Sequence, residues 1–420
     1  MINLLAPFLF VCVASRNLGP TCSDHKALFA RGVKDSDLFS IYNNETQSYF
    51  QADRASLVAD LVLCRDPSIL KRYNPKFIND LAAMVNESQN PSVSEFFSRT
   101  KIAFVEFVGK PEIYLKNYAH YRLMIESFDF SFVLHGILIA LIFTAIRKVY
   151  NIIVIKPLSR KLKLSAINSQ KLITSAWFVL AYAFLWLVTL KVVLFSGRDD
   201  FYQPLKIFAE LVPELGYFRK PIPDDIYWLY AIQWGFYLHA LMGLFSSEDG
   251  WREDRYVLCL HHVITIALLS FSMFAKFHRI GTLVLFMHDI NDVFLEFGKA
   301  NVYIKFRNNK YHAWHDSVGG LSYVAFVLSW IVTRLYWFPM KVLYITGWGV
   351  YISHIGREGF FFLEFNIMLW LLFIMHIYWS YLIGVLAVKI LTGQMKNLSD
   401  IRETDVDYTS DPNQLKNLHG

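Results

Sequence analysis

Between Leu260 and Lys299 the chain reads LHHVITIALLSFSMFAKFHRIGTLVLFMHDINDVFLEFGK, a largely apolar stretch that carries paired histidines, a His-Asp pair, a second Asp and a Glu. Histidine beside carboxylate is acid–base chemistry. An imidazole held by an aspartate works as a general base or nucleophile near neutral pH, and the carboxylate stabilises the imidazolium that forms. The combination suits acyl transfer, in which a side chain takes a proton from an incoming nucleophile or the imidazole itself attacks an acyl thioester. No serine or cysteine elbow of a hydrolase triad is visible. Metal ligation is the sharper rival, since histidine-box di-iron lipid enzymes place many histidines on several helices. Here His261, His262, His288 and the loop pair His312 and His315 are the nearest approach and the other histidines are scattered, so no metal is expected.

Helical spacing gathers the groups further. His288 and Asp292 are four apart, Asp289 and Asp292 three apart, and Asp292 and Glu296 four apart, so they crowd one stripe of a helix. His261 and Thr265 are one turn apart, while His262 points about 100° away and cannot play the same geometric part as His261. An antiparallel pair of helices joined by a short turn at residues 276–278 brings both sets to similar depth, roughly 8 to 15 Å from one membrane face at 1.5 Å per residue. His261, His262, His288, Asp289, Asp292 and Glu296, with Thr265 beside His261, are therefore the candidate site residues.

The elements that hold them are membrane helices. With 55% hydrophobic, 17% aromatic and only 18% charged residues, the 420-residue chain is too apolar for an ordinary soluble domain. Apolar runs recur at 128–146, 172–195, 226–246, 256–276, 280–298, 317–338 and 364–391, each long enough to cross roughly 30 Å of hydrocarbon. Seven spans are expected, the fifth the least hydrophobic. Ionisable groups inside a span are costly and usually face a protein interior or a water-filled cavity, so their clustering marks a site. A channel or transporter would also use intramembrane carboxylates, but it predicts repeats or broken helices that are not evident.

Arg147, Lys148, Lys156, Arg160, Lys161 and Lys163 follow the first span and place that loop in the cytosol. The N-terminal region is then lumenal and the C-terminal tail cytosolic. Residues 1–14, MINLLAPFLFVCVA, read as a signal peptide or a short membrane-surface anchor. Residues 15–127 form a polar lumenal extension, 128–392 the transmembrane region and 393–420 an acidic tail. The extension carries sequons at Asn44 and Asn86, expected to be glycosylated, and Cys22 and Cys64, which share the oxidising lumen and can pair or remain thiols.

WREDRYVLCLHHVITIALL followed by RIGTLVLFMHDINDVFLEFGKANVY resembles the Lag1 motif, here about residues 254–303, within the TLC domain of ceramide synthases. RLYWFPMKVLY resembles a later stretch of the same family. The resemblance covers about residues 130–392. It implies an all-α polytopic membrane protein whose later six helices form a TLC-type helical barrel, located in the endoplasmic reticulum. It implies transfer of a fatty acyl group from acyl-CoA to the amine of a long-chain sphingoid base, with the paired histidines and two aspartates at the reaction centre. Acyl-CoA is then a co-substrate, no tightly bound cofactor is needed, and a homo- or heterodimer is an expected assembly. Only about 25 residues separate the first two spans, so the homeobox-like insert of many animal members is absent and the chain is most similar to the stearoyl-CoA-preferring animal form. Arg252, Arg255, Lys299, Lys305 and Arg307 sit where they can meet the phosphates of CoA. The alternatives are a non-enzymatic TLC-domain protein of lipid sensing or protein translocation, for which a degenerate His/Asp set is expected, and another acyl-CoA-using membrane lipid enzyme.

Overall fold

The computed structural model describes residues 91–109, 129–198, 200–205, 222–245, 254–308, 310–352 and 361–393, with single positions at 122, 125 and 207. Residues 1–14, Asn44, Asn86, Cys22, Cys64, Arg252, most of the loop 351–362 and the tail from 394 lie outside the described residues.

Helix dominates because the sequence supplies long apolar runs with polar punctuation at their ends. Helix α1 is Val93–Val108. Helix α2, Phe130–Tyr150, starts where the Asp129 carboxylate accepts from the Ser131 backbone N–H and ends on Arg147 and Lys148, the charge order the helix dipole favours. It runs on without a break to Lys161. Helices α3, Ala166–Leu194, α4, Asp224–Leu244, and α5, Arg255–Phe274, follow. Helix α6 is His278–Ile304, α7 is Ala313–Trp330, and α8 is Phe362–Leu391. Beyond Trp330 the α7 rod continues to Gly349, mostly in wide π-type turns over Ile331–Leu343 and Ile345–Gly349. Pro339, which has no N–H to donate, lies inside the first of these.

The expectation of an all-α polytopic membrane protein holds: α2 to α8 match the seven predicted spans. Five of them, the helices spanning Phe130–Lys161, Ala166–Leu194, Arg255–Phe274, Ala313–Gly349 and Leu363–Leu391, are long and apolar enough to cross a bilayer on composition alone. The other two, α4 with 21 residues and α6 with 27, are long enough but less apolar, and they carry the buried polar groups Gln233, His239, His288, Asp289 and Asn291.

The described chain divides into two compact units. The smaller, residues 1–118, 190–223 and 344–362, contains α1 packed on the 345–349 turn, with Arg99 Nη1 donating to the Tyr344 hydroxyl at 2.6 Å. The larger, residues 119–189, 224–343 and 363–420, contains the candidate residues. Within it α2 and α4 approach closely: a Cβ on Gly235 would meet the Gly136 carbonyl oxygen at 2.7 Å. Helices α5 and α6 are antiparallel across a turn in which Lys276 takes φ 62°. They are clamped by Tyr230, which donates to the His278 carbonyl at 2.7 Å and accepts from Ser272 at 3.1 Å. A Cβ on Gly281 would strike that hydroxyl, which explains the glycine in the R-x-G turn. A short hairpin, β1 Phe306–Arg307 paired antiparallel with β2 Lys310–Tyr311, leads from α6 into α7.

Candidate active site

The local logic begins on α5. His262 Nδ1 lies 2.7 Å from the Leu258 carbonyl one turn back, so that nitrogen carries the proton and donates, leaving Nε2 as the basic nitrogen. His261 has its Nδ1 buried with no hydrogen-bond partner, and its ring meets Trp379 edge-on at 5.3 Å. The two rings stand at 89° to one another, and despite the 100° step between them both line one cavity.

On α6 the expected stripe separates into two sides. Asp292, Glu296 and Lys299 line the same cavity as His261 and His262, a space of about 100 Å³ with room for several waters. Its walls come from six helices, α3 to α8. Asp289 lies outside the lining and is fully buried: one carboxylate oxygen accepts from Gln233 Nε2 on α4 at 2.6 Å, and the other has no partner. Asp289 is therefore tied to α4 rather than to a histidine. Thr265 returns its hydroxyl to the His261 carbonyl at 2.8 Å and lines, with His288, a separate and mainly apolar pocket. Glu296 accepts from Ser175 at 2.6 Å and pairs with Lys299 at 3.1 Å.

Two further side chains of the buried polar cluster, Arg334 and His376, were not among the sequence candidates, although Arg334 opens the RLYWFPMKVLY stretch. Both interrupt apolar runs, so the rule that drew attention to α5 and α6 applied equally to α7 and α8. Arg334, 3% exposed, lines the cavity, donates from Nη2 to the His288 carbonyl at 2.9 Å, and stands 3.4 Å from the Asp292 carboxylate. Its guanidinium lies over the Trp330 ring. His376 is fully buried, with Nε2 at 2.9 Å from His288 Nε2 and 3.1 Å from Arg334 Nη1. His288 Nδ1 donates to the Val284 carbonyl at 2.6 Å, so its Nε2 needs a donor. His376 Nε2 can give a proton to His288 or accept one from Arg334, but not both.

The remaining basic candidates are dispersed. Arg255 is exposed and stacks on Tyr256. Lys305 pairs with Asp316 at 3.1 Å, and Arg307 bonds His315, whose other nitrogen meets Asn301 at 2.9 Å. His315 thus braces the α6–α7 connection. Among the described residues no three His, Cys, Asp or Glu stand together as a metal-holding group.

The family model described as the TLC domain matches residues 201–384. Ceramide synthase 1 of Homo sapiens is 36% identical over 281 residues, covering 66% of this chain and 76% of its own. The chain belongs to the ceramide synthase family. Ceramide synthase 1 of Mus musculus is 37% identical over 274 residues, 64% of this chain and 75% of its own. Ceramide synthase LOH2 of Arabidopsis thaliana is 31% identical over 236 residues, 56% and 74%. The family relationship thus extends from animals to a plant. The matched TLC region contains the α5 histidines, the α6 carboxylates, Arg334 and His376, whereas the α3 residues of the cavity wall, among them Lys171 and Ser175, precede it.

Proposed function

We propose that this chain is a sphingoid-base N-acyltransferase: it joins the acyl group of acyl-CoA to the amine of sphinganine or sphingosine, giving dihydroceramide or ceramide and free CoA. The observation that carries this is the cavity in which His261, His262, Asp292 and Arg334 converge inside the membrane region of a ceramide synthase family member. A non-enzymatic sensing or translocation protein is expected to carry a degenerate His/Asp set, whereas this chain retains all of it.

The sphingoid base reacts as its free amine, having released its ammonium proton to solvent, and His262 Nε2, the basic nitrogen of the tautomer fixed by Leu258, takes the further proton that the nitrogen loses as it bonds to carbon. The free amine attacks the thioester carbonyl carbon, forming the C–N bond. Collapse breaks the C–S bond, and the proton on His262 leaves with the thiolate as CoA-SH. An acyl-histidine on His261, followed by aminolysis, is the two-step version of the same exchange. Asp292 stabilises imidazolium in the shared cavity, and Asp289, held by Gln233, fixes α6 against α4.

In this reading the protein is a multi-pass protein of the endoplasmic reticulum membrane, N-terminus lumenal and C-terminus cytosolic, with CoA entering from the cytosol past Lys299. Acyl-CoA is its co-substrate and it holds no tightly bound cofactor. Dimers with itself or a relative are its expected assembly, and stearoyl-CoA its preferred donor. The test is direct. Microsomes of ceramide-synthase-deficient cells expressing the chain are fed sphinganine with a panel of acyl-CoAs, and the lipids are resolved by mass. N-acylated base above the background of empty membranes is expected, most of it C18. No such product with any donor, from folded protein in the membrane, refutes the reading.

A further inference from the structure

Arg334 is a full positive charge, 3% exposed, on the wall of the cavity that holds both histidines. A guanidinium has five N–H donors, and burying one is tolerable only where those donors and the charge find partners. Here they are met incompletely. Nη2 is occupied by the His288 carbonyl at 2.9 Å, while the Asp292 carboxylate is 3.4 Å away, beyond the 2.7 to 2.9 Å or so of a close charge-assisted bond. Nη1 meets a His376 nitrogen that His288 also claims, and Nε is buried with no partner. A buried donor set left partly open beside a basic imidazole is the arrangement that a developing negative charge completes.

We propose that Arg334 is a catalytic residue that holds the thioester carbonyl oxygen as it becomes an oxyanion. The inference rests on the acyltransferase reading and adds the group that reading lacks. As the amine nitrogen, or the His261 nitrogen in the two-step route, bonds to the carbonyl carbon, the C=O electron pair moves onto oxygen. The guanidinium N–H groups stabilise that charge until the pair returns, the C–S bond breaks, and the thiolate leaves to take a proton, from His262 in the direct route and from the other nitrogen of the acylated His261 ring in the two-step route. The carbonyl carbon passes through the same tetrahedral geometry in either route, so the assignment is independent of which operates. Nη2 is held by backbone and the ring of Trp330 lies against the guanidinium, so the donors need no rearrangement as charge develops.

Steady-state turnover by full-length protein in microsomes, normalised to protein in the membrane, tests this with R334Q and R334K. R334Q is expected to lower kcat by about 10²- to 10³-fold, with KM for acyl-CoA and sphinganine within about three-fold, the signature of a donor used only in the transition state. R334K keeps charge but loses the planar fork, and a loss of about ten-fold with unchanged KM is expected. Should R334Q fail to reach the membrane folded, R334K decides alone: wild-type kcat overturns the proposal. A variant that raises KM while leaving kcat intact also overturns it, because Arg334 is then a ground-state anchor. If wild-type protein makes no N-acylated base, the acyltransferase reading falls and this inference with it. If wild type turns over and R334Q keeps more than a third of kcat, only the inference falls.

Discussion

Two buried polar clusters flank α6, and they differ in how completely they are bonded. On one side Asn291, fully buried, donates to the Met287 carbonyl at 3.1 Å and to Thr333 at 2.8 Å, and accepts from Ser329 at 2.8 Å. Both ends of its amide are used, and all its partners lie on α6 and α7. On the other side Asp289 has one oxygen unpartnered, His261 and His376 each a nitrogen, and Arg334 its Nε. A closed network specifies how two helices pack; an open one costs stability and persists where something else completes it. One helix therefore carries a bonded cluster on one side and, on the other, the incompletely bonded groups to which the proposed chemistry is assigned.

That contrast breaks most sharply at His262. His262→Gln removes the base while keeping a polar side chain of similar length, and turnover is expected to fall by about 10²- to 10⁴-fold with membrane abundance unchanged, measured by ceramide formation against immunoblot. Equal turnover would return the open cluster to a packing role. Asp292→Asn keeps size but removes the charge facing Arg334. Its side chain is 29% exposed to the cavity, which puts the pair between a surface and a buried ion pair, so a loss on the order of ten-fold is expected in the same assay. The closed cluster should answer in the opposite currency. Asn291→Leu strands the Ser329 and Thr333 hydroxyls and should cost about 1 to 3 kcal/mol of stability in detergent thermal unfolding, with kcat per folded molecule near wild type. A catalytic loss without a stability loss at Asn291 would erase the distinction.

How much of this the sequence announces depends on the kind of signal. Seven helices were legible because a 20-residue apolar run leaves few alternatives, five of them long and apolar enough to cross a bilayer, and α6 stood out as least hydrophobic because of the polar groups it carries. The convergence of His261, His262, Asp292 and Glu296 was legible from the 3.6 period and matched depth. The separation of Asp289 from Asp292 was not, because three residues along a helix leave about 60° between side chains, and only the presence of Gln233 on α4 decides which way Asp289 is satisfied. Arg334 and His376 were visible as polar side chains in apolar runs; Arg334 opens the RLYWFPMKVLY stretch, but that resemblance gave it no role, and His376 stands without a motif neighbour. The π turns that place Arg334 carry no periodic signature beyond Pro339.

The smallest effect belongs to a polar contact that is neither closed in the core nor open in the site. Asp129 caps α2 by accepting from the Ser131 backbone at 2.9 Å. Bonding to Ser131, side chain first and then backbone, holds its carboxyl below the ordinary aspartate value despite opposing desolvation. A carboxylate depressed in the folded state contributes its stability above its unfolded pKa and loses it as pH falls through the folded one, so the effect is confined to acid below about pH 4. Asp129→Asn, an equally good cap, should therefore match wild type at pH 7 and flatten only the acid limb of the unfolding curve. Asp129→Ala removes the cap at every pH and should cost about 0.5 to 1 kcal/mol, read as a small drop in Tm. Ceramide formation at neutral pH should be unchanged in both, because Asp129 lies outside the lining of the cavity. An Asn variant that loses activity at pH 7 would mean that charge at the start of α2 reaches the site, and the line between bonded scaffold and open chemistry would have to be redrawn to include it.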